Sequence, residues 1–227
     1  MFFLDYYYIV CVLPAMFLMI IAQISVKTTF SKYSRHFCSI SGAEAARRVL
    51  EANGVYGVRI ERVAGNLTDH YDPKANVIRL SETVYDDCTV AAAGVAAHEA
   101  GHAVQYAKSW GPIKIRTAIF PICNIGSQLA VPLVMFGFIF DALYLVDVGI
   151  IFFALALLFQ LITLPVEFNA SRRAINALSS HNILANQYEV NGAKKVLFAA
   201  AMTYVTSFLV SLAQLLRLLA IANQRKR

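Results

Sequence analysis

Long apolar runs and two polar intervals divide the chain. The first apolar run, 4–26, extends from Leu4 to Val26 and contains Asp5. It has no positively charged lead-in, which favours a retained anchor over a cleaved signal peptide. The second, within 115–164, runs from Ile115 to Phe140 and is broken by Pro121 and Pro132. It is followed by Leu143 to Leu164, so that 115–164 reads as a transmembrane hairpin. A membrane-crossing helix needs roughly 20 apolar residues, and these three stretches supply them. The fourth, 196–221, runs from Val196 to Ala213 and on into a Leu-rich tail with Arg217. Its pattern suits a span, a re-entrant helix or an interfacial one.

The polar interval 27–114 is the one stretch long enough to fold outside a membrane. Ser41-Gly42-Ala43-Glu44 is a capping-box start for a helix over Ala43–Ala52, with Asn53-Gly54 as its stop. Val55–Val63 alternates and is rich in β-branched residues, which predicts a strand. Asn66–Pro73 carries turn chemistry, and Asn76–Leu80 predicts a second short strand. Ser81–Asp87 reads as a polar lead-in of about one helical turn, and from Thr89 a helix runs to about Lys108. The second polar interval is 165–195. The expected fold is mainly α: a membrane protein with three or four transmembrane helices and a small α+β domain.

Composition agrees with the pattern. Of 227 residues, 58% are hydrophobic and only 15% charged, against about 25% charged in ordinary soluble domains. The net charge of +6 reads as basic flanks of membrane spans. No basic stripe with interleaved aromatics suggests a nucleic-acid partner. Lys27, Lys32 and Arg35 follow the first run, Arg172 and Arg173 follow the third, and Lys194 and Lys195 precede the fourth. This places both polar intervals on the cytoplasmic side of the cell membrane. The tail Arg225-Lys226-Arg227 would sit on the other side if the fourth run crosses. Cys11, Cys38, Cys88 and Cys123 show no paired spacing and read as packing residues or free thiols.

Residues 98–102 read His-Glu-Ala-Gly-His. On a helix the two imidazoles stack one turn apart and can grip one metal ion. Glu99 between them can act as base on the water that attacks a peptide carbonyl. Chance alone gives this pattern in about one in three hundred chains of this composition. A catalytic zinc takes three protein ligands, and no further His follows closely on His102. Glu167 and Glu189 are the acidic candidates in the second polar interval. Glu167 can equally be a helix-start glutamate behind Pro165, in a first turn where the dipole favours it. His70 reads as a turn histidine, a transition-state donor or a ligand, and His181 reads mainly as a loop residue. Arg172 and Arg173 are candidates for oxyanion stabilisation or for marking the membrane boundary.

The chain resembles the YugP-like neutral zinc metallopeptidases of bacterial membranes. The resemblance rests on Thr68-Asp69-His70-Tyr71-Asp72-Pro73, on Leu80-Ser81-Glu82-Thr83-Val84-Tyr85 and on Ala91 through Gln105. Pro165-Val166-Glu167-Phe168-Asn169-Ala170-Ser171-Arg172-Arg173-Ala174 completes it. More remotely the chain is similar to the HtpX-like membrane proteases. That likeness implies a gluzincin-like domain holding one Zn²⁺ per chain, with His98, His102 and Glu167 as ligands and Glu99 as catalytic base. It implies an endopeptidase acting on polypeptides, including segments of membrane proteins. In the wider group an Asp often stands four residues beyond the Glu; here Ser171 holds that position. The likeness also implies an edge strand, Asn76, Val77, Ile78, Arg79 and Leu80, on which an extended substrate pairs. Two alternatives are an inactive membrane scaffold that keeps the peptidase fold and a site-2-type intramembrane protease. The latter would use a later Leu-Asp-Gly, which the sequence lacks.

Overall fold

The computed structural model describes residues 5–225. Leu4, at the start of the predicted first span, and Lys226-Arg227 of the basic tail lie outside them. The protein is mainly helical, with one small mixed sheet. A π-helical turn, Tyr8–Val12, leads into α1 (Leu13–Tyr33). Then come α2 (Gly42–Ala52), β1 (Arg59–Val63), β2 (His70–Asp72), β3 (Val77–Ser81), α3 (Glu82–Tyr85) and α4 (Val90–Ala107). Three long helices finish the chain: α5 (Gly111–Ile139), α6 (Leu143–Ser180) and α7 (Gln187–Arg225). Among the described residues, four helices are long and apolar enough to cross a membrane, the one in the fourth apolar run included.

The chain divides into two compact units. One joins Ile24–Ile113 to Pro165–Met202. Its core is built on α4, whose Ala91, Ala93, Ala96, Ala97 and Ala100 are fully buried. The small side chains let neighbours pack almost on the helix backbone. A Cβ on Gly101 would lie 2.5 Å from the Ala170 carbonyl oxygen of α6, and one on Gly94 would lie 3.3 Å from the Ala193 Cβ of α7. Thr89 caps α4 by accepting from the Ala92 N–H at 3.3 Å, and Ser41 caps α2 in the same way through Glu44. Both caps match the sequence signals.

The sheet has the order β1-β3-β2, with β1 parallel and β2 antiparallel to β3. This corrects three expectations. First, β3 is the central strand, not an edge. Its partners are Arg59–Val63 on one side and His70–Asp72 on the other, so Asn76–Leu80 offers no open strand edge to a substrate. Burial agrees, since Val77, Ile78 and Leu80 are fully enclosed. Second, β1 starts at Arg59 rather than Val55: the Val55 N–H still bonds to the Leu50 carbonyl, and Gly57 takes a left-handed φ of +80°. Third, the predicted turn Asn66–Pro73 contains β2. The reversal falls after it, where Asp72 accepts from the Lys74 and Ala75 N–H groups and Asn76 has a φ of +50°. Asp69 closes the sheet by accepting from the Ser81 N–H at 2.8 Å.

The other unit comprises Met1–Gln23, Lys114–Leu164 and Thr203–Arg227. Here α5 and α6 form a close antiparallel pair through glycines. A Cβ on Gly149 would lie 2.9 Å from the Ala130 carbonyl oxygen, and one on Gly137 would lie 2.8 Å from the Val146 nitrogen. Pro121 and Pro132 lie inside α5 without ending it. Membrane helices tolerate proline because surrounding groups re-satisfy the freed carbonyls. Asp5 pairs with the buried Arg217 at 2.7 Å, and the Arg217 guanidinium also lies over the Tyr8 ring at 5.2 Å. All four cysteines are free thiols.

Candidate metal centre

His98 and His102 project from one face of α4, one turn apart, with ring centroids separated by 4.7 Å and nearly perpendicular. Glu167 reaches them from α6. Pro165 does not begin that helix, as the sequence had suggested; α6 runs through it without a break, from Leu143 to Ser180. The Glu167 Oε2 lies 3.2 Å from His98 Nε2 and 3.5 Å from His102 Nε2. One ligand atom from each of the three side chains falls within 4.8 Å of the others. Glu167 is 3% exposed, so its charge has little access to water. It lies beyond Leu164, where the apolar stretch of α6 ends.

A hydrogen-bond chain fixes which His102 nitrogen faces the carboxylate. Arg173 can only donate, and its Nε donates to Asn169 Oδ1 at 2.8 Å. The Gln105 Nε2 amide donates to the same oxygen at 3.1 Å and to the Val166 carbonyl at 2.8 Å. The remaining Gln105 atom facing His102 is therefore the acceptor Oε1, 3.1 Å from Nδ1. Nδ1 of His102 carries the hydrogen, and in the neutral ring the Nε2 lone pair points toward Glu167. A lone pair facing a buried carboxylate is repulsive unless a cation stands between them. A divalent ion meets that need. The donor set of two imidazoles and one carboxylate suits Zn²⁺. His98 Nδ1 is held by the Ser171 Oγ at 3.1 Å. A hydroxyl, that of Ser171, does the orienting here.

The remaining sequence candidates stand as follows. Glu99 is half-buried on α4, next to His98. Arg172 is exposed and, with Ser171, lines a groove of about 370 Å³. His70 is exposed on β2; its Nδ1 lies 2.8 Å from the Thr68 carbonyl oxygen, and it does not join the metal-ligand group. His181 is exposed in the turn after α6. Glu189 accepts from the Ala185 N–H and from Asn186, which makes it a capping group of α7. Gln105 and Asn169 were missed as site residues. Gln105 is fully buried, and its one signal in the sequence is an amide three residues beyond His102, on the same helix face.

Fold and site together describe a membrane protein with a two-histidine, one-glutamate cluster, buried at His102 and Glu167 and half-buried at His98. The chain belongs to the family described as "Putative neutral zinc metallopeptidase", whose model matches residues 8–223. It is 50% identical over 202 residues, 88% of this chain and 89% of the relative, to the "Putative membrane protease YugP" of Bacillus subtilis (strain 168). No solved structure matches it.

Proposed function

We propose that the protein is a membrane-anchored, zinc-dependent endopeptidase. The observation that carries this is the convergence of His98, His102 and Glu167 from two helices, with the histidine Nδ1 atoms held by Gln105 and Ser171 so that Nε2 is left for a metal. Metal-ligating histidines are oriented by such partners in zinc enzymes. When bound, zinc would polarise both a water molecule and the scissile carbonyl.

The chain's own residues would do the rest. Glu99 takes the proton of the attacking water and delivers it to the leaving amine, so that the carbonyl–nitrogen bond breaks without free hydroxide or amide anion. Glu167 stays ionised in its buried position and balances the charge of the metal. Arg172, exposed beside Ser171, is positioned to contact an extended substrate, and His70 is the other candidate for a substrate contact. Substrates would be polypeptides at the bilayer surface, including segments of membrane proteins, with the catalytic unit on the cytoplasmic side.

The test is metal content of detergent-purified wild type, Glu167→Ala and Glu99→Ala, alongside cleavage of an unstructured polypeptide. About one zinc per chain in wild type and in Glu99→Ala, a clear loss in Glu167→Ala, and cleavage by wild type alone support the reading. Equal zinc in Glu167→Ala would overturn the ligand set. Zinc-loaded wild type that cleaves no better than Glu99→Ala would overturn the peptidase.

A further inference from the structure

We infer that α1 and α7 form a binding site for an anionic glycerophospholipid. Within the unit that holds α4, the C-terminal part of α1 and the N-terminal part of α7 flank a groove of about 580 Å³. One end is polar and basic, with Lys32, Asn191, Lys194 and Lys195 on its walls. Toward the other end the wall turns to Phe198, Ala199 and Met202, where the apolar run of α7 begins. Tyr33 lies beside the basic end, packed so tightly on α7 that a Cβ on Gly192 would come within 2.6 Å of its ring. The two walls are therefore held together by buried contact.

Charge is the second observation. Lys32, Lys194 and Lys195 are exposed, and none forms an ion pair among the described residues. The ion pairs among the described residues all use arginine or histidine, as where Arg47 and Arg48 share Glu44 and Arg79 holds Asp72; what sets Lys32, Lys194 and Lys195 apart is that they line one groove. The Lys32 Nζ lies over the Tyr33 ring at 5.6 Å, and three ammonium groups with no carboxylate partner around one concavity suit an anion with several oxygens. Both helices are long and apolar enough to cross a membrane. The medium along the apolar end of the groove is then lipid, and the matching anion is a phosphate that carries an acyl chain. Phosphate between Lys32, Lys194 and Lys195, with the chain along Phe198 and Met202, satisfies both ends at once. A free phosphate would leave the apolar end unused, and a neutral lipid the lysines.

The experiment is native mass spectrometry of the full chain in detergent. It is titrated with phosphatidylglycerol or phosphatidylcholine of the same acyl composition, and phosphatidylglycerol binding is repeated with inorganic phosphate as competitor. Wild type is expected to retain phosphatidylglycerol preferentially. Each lysine changed to glutamine should weaken that retention about fivefold, the effect of one juxtamembrane charge. Ser25→Trp, at an exposed position lining the groove, keeps every lysine and should reduce retention by filling the space for the chain. It also keeps the proposal testable if Lys32→Gln/Lys194→Gln/Lys195→Gln does not fold. Equal retention of the two lipids, no loss in the lysine variant and Ser25→Trp, or full displacement by inorganic phosphate would each overturn the assignment.

Discussion

Gln105 shows how far one side chain can fix the chemistry of another. Its amide donates to two oxygens, and that leaves only an acceptor for His102 Nδ1. Replacing it with Ala frees the ring to rotate and to place its hydrogen on the metal-facing nitrogen. Loss of such a partner costs about 10–100-fold in metal affinity. Gln105→Ala should show that loss in a competition titration with a zinc chelator, while Gln105→Glu, which retains an acceptor, should keep more of the affinity. Unchanged affinity in Gln105→Ala would mean that the orientation of His102 is set elsewhere. At this scale legibility followed sequence distance. His98 and His102 were readable because helical spacing alone puts the two imidazoles together. Glu167 was one of two acidic candidates until the family resemblance singled it out, because nothing local joins it to α4. Gln105, Asn169 and Ser171 look like ordinary helix polars, and only the packed arrangement of α4 on α6 gives them partners.

Among elements, close helix approach and the sheet order decide the geometry. Gly101 lies between the two candidate ligand histidines, and the position of a side chain there is already taken by the Ala170 carbonyl oxygen of α6. Gly101→Val must push α4 and α6 apart, which separates His98 and His102 from Glu167. Overpacking of this kind costs typically about 1–3 kcal/mol. The expected result is a lower melting temperature and a larger fractional loss of bound zinc than of helix content by circular dichroism. Retained zinc with a normal melting temperature would contradict the close approach. In the sheet, hydrogen bonds from Arg79 and from the Ala75 and Lys74 N–H groups hold the Asp72 carboxyl below its ordinary value of 3.8. A carboxyl lowered by folding stabilises above its ordinary value, and that contribution fades as pH falls through the lowered one. Asp72→Asn should therefore speed amide exchange in β2 and β3 near neutral pH, with the difference from wild type shrinking below pH 3.8. A difference that persisted undiminished in acid would assign the effect to shape, not charge. The helix caps at Ser41 and Thr89 were legible because capping is local. The central place of β3 was not: its pairing with β1 and β2 is a long-range matter, and a three-residue strand inside turn chemistry gives almost no periodic signal. Pro165 misled for a related reason, since whether proline starts a helix or sits within one depends on what surrounds the freed carbonyl.

For the whole molecule, the decisive fact is that the unit holding the candidate metal centre is discontinuous in sequence. Ile24–Ile113 supplies both histidines of the cluster and Pro165–Met202 supplies the glutamate, so a bound metal would tie two distant stretches of chain within one folded unit. The apolar runs were legible from composition alone, whereas the joining of the two polar intervals followed only from the ligand set that the resemblance implied, because it depends on which parts of α6 and α7 pack with α4. A ligand that binds only the folded state stabilises it by about 2.7 kcal/mol when present at a hundred times its dissociation constant. Chelation of the zinc-loaded protein should remove that contribution and leave Glu167 and two imidazoles facing one another without a cation. The outcome to look for is faster proteolysis within both stretches, 27–113 and 165–195, restored by added zinc. The apolar hairpin of α5 and α6 over 114–164 contributes no ligand and should keep its protection. Cleavage confined to one of the two stretches would mean that they do not depend on each other through the metal. Unchanged protease sensitivity of a demonstrably zinc-loaded and then stripped protein would show that α4 and α6 hold together by packing alone, with Gly101 against Ala170 as the main joint and the metal a passenger in a preformed site.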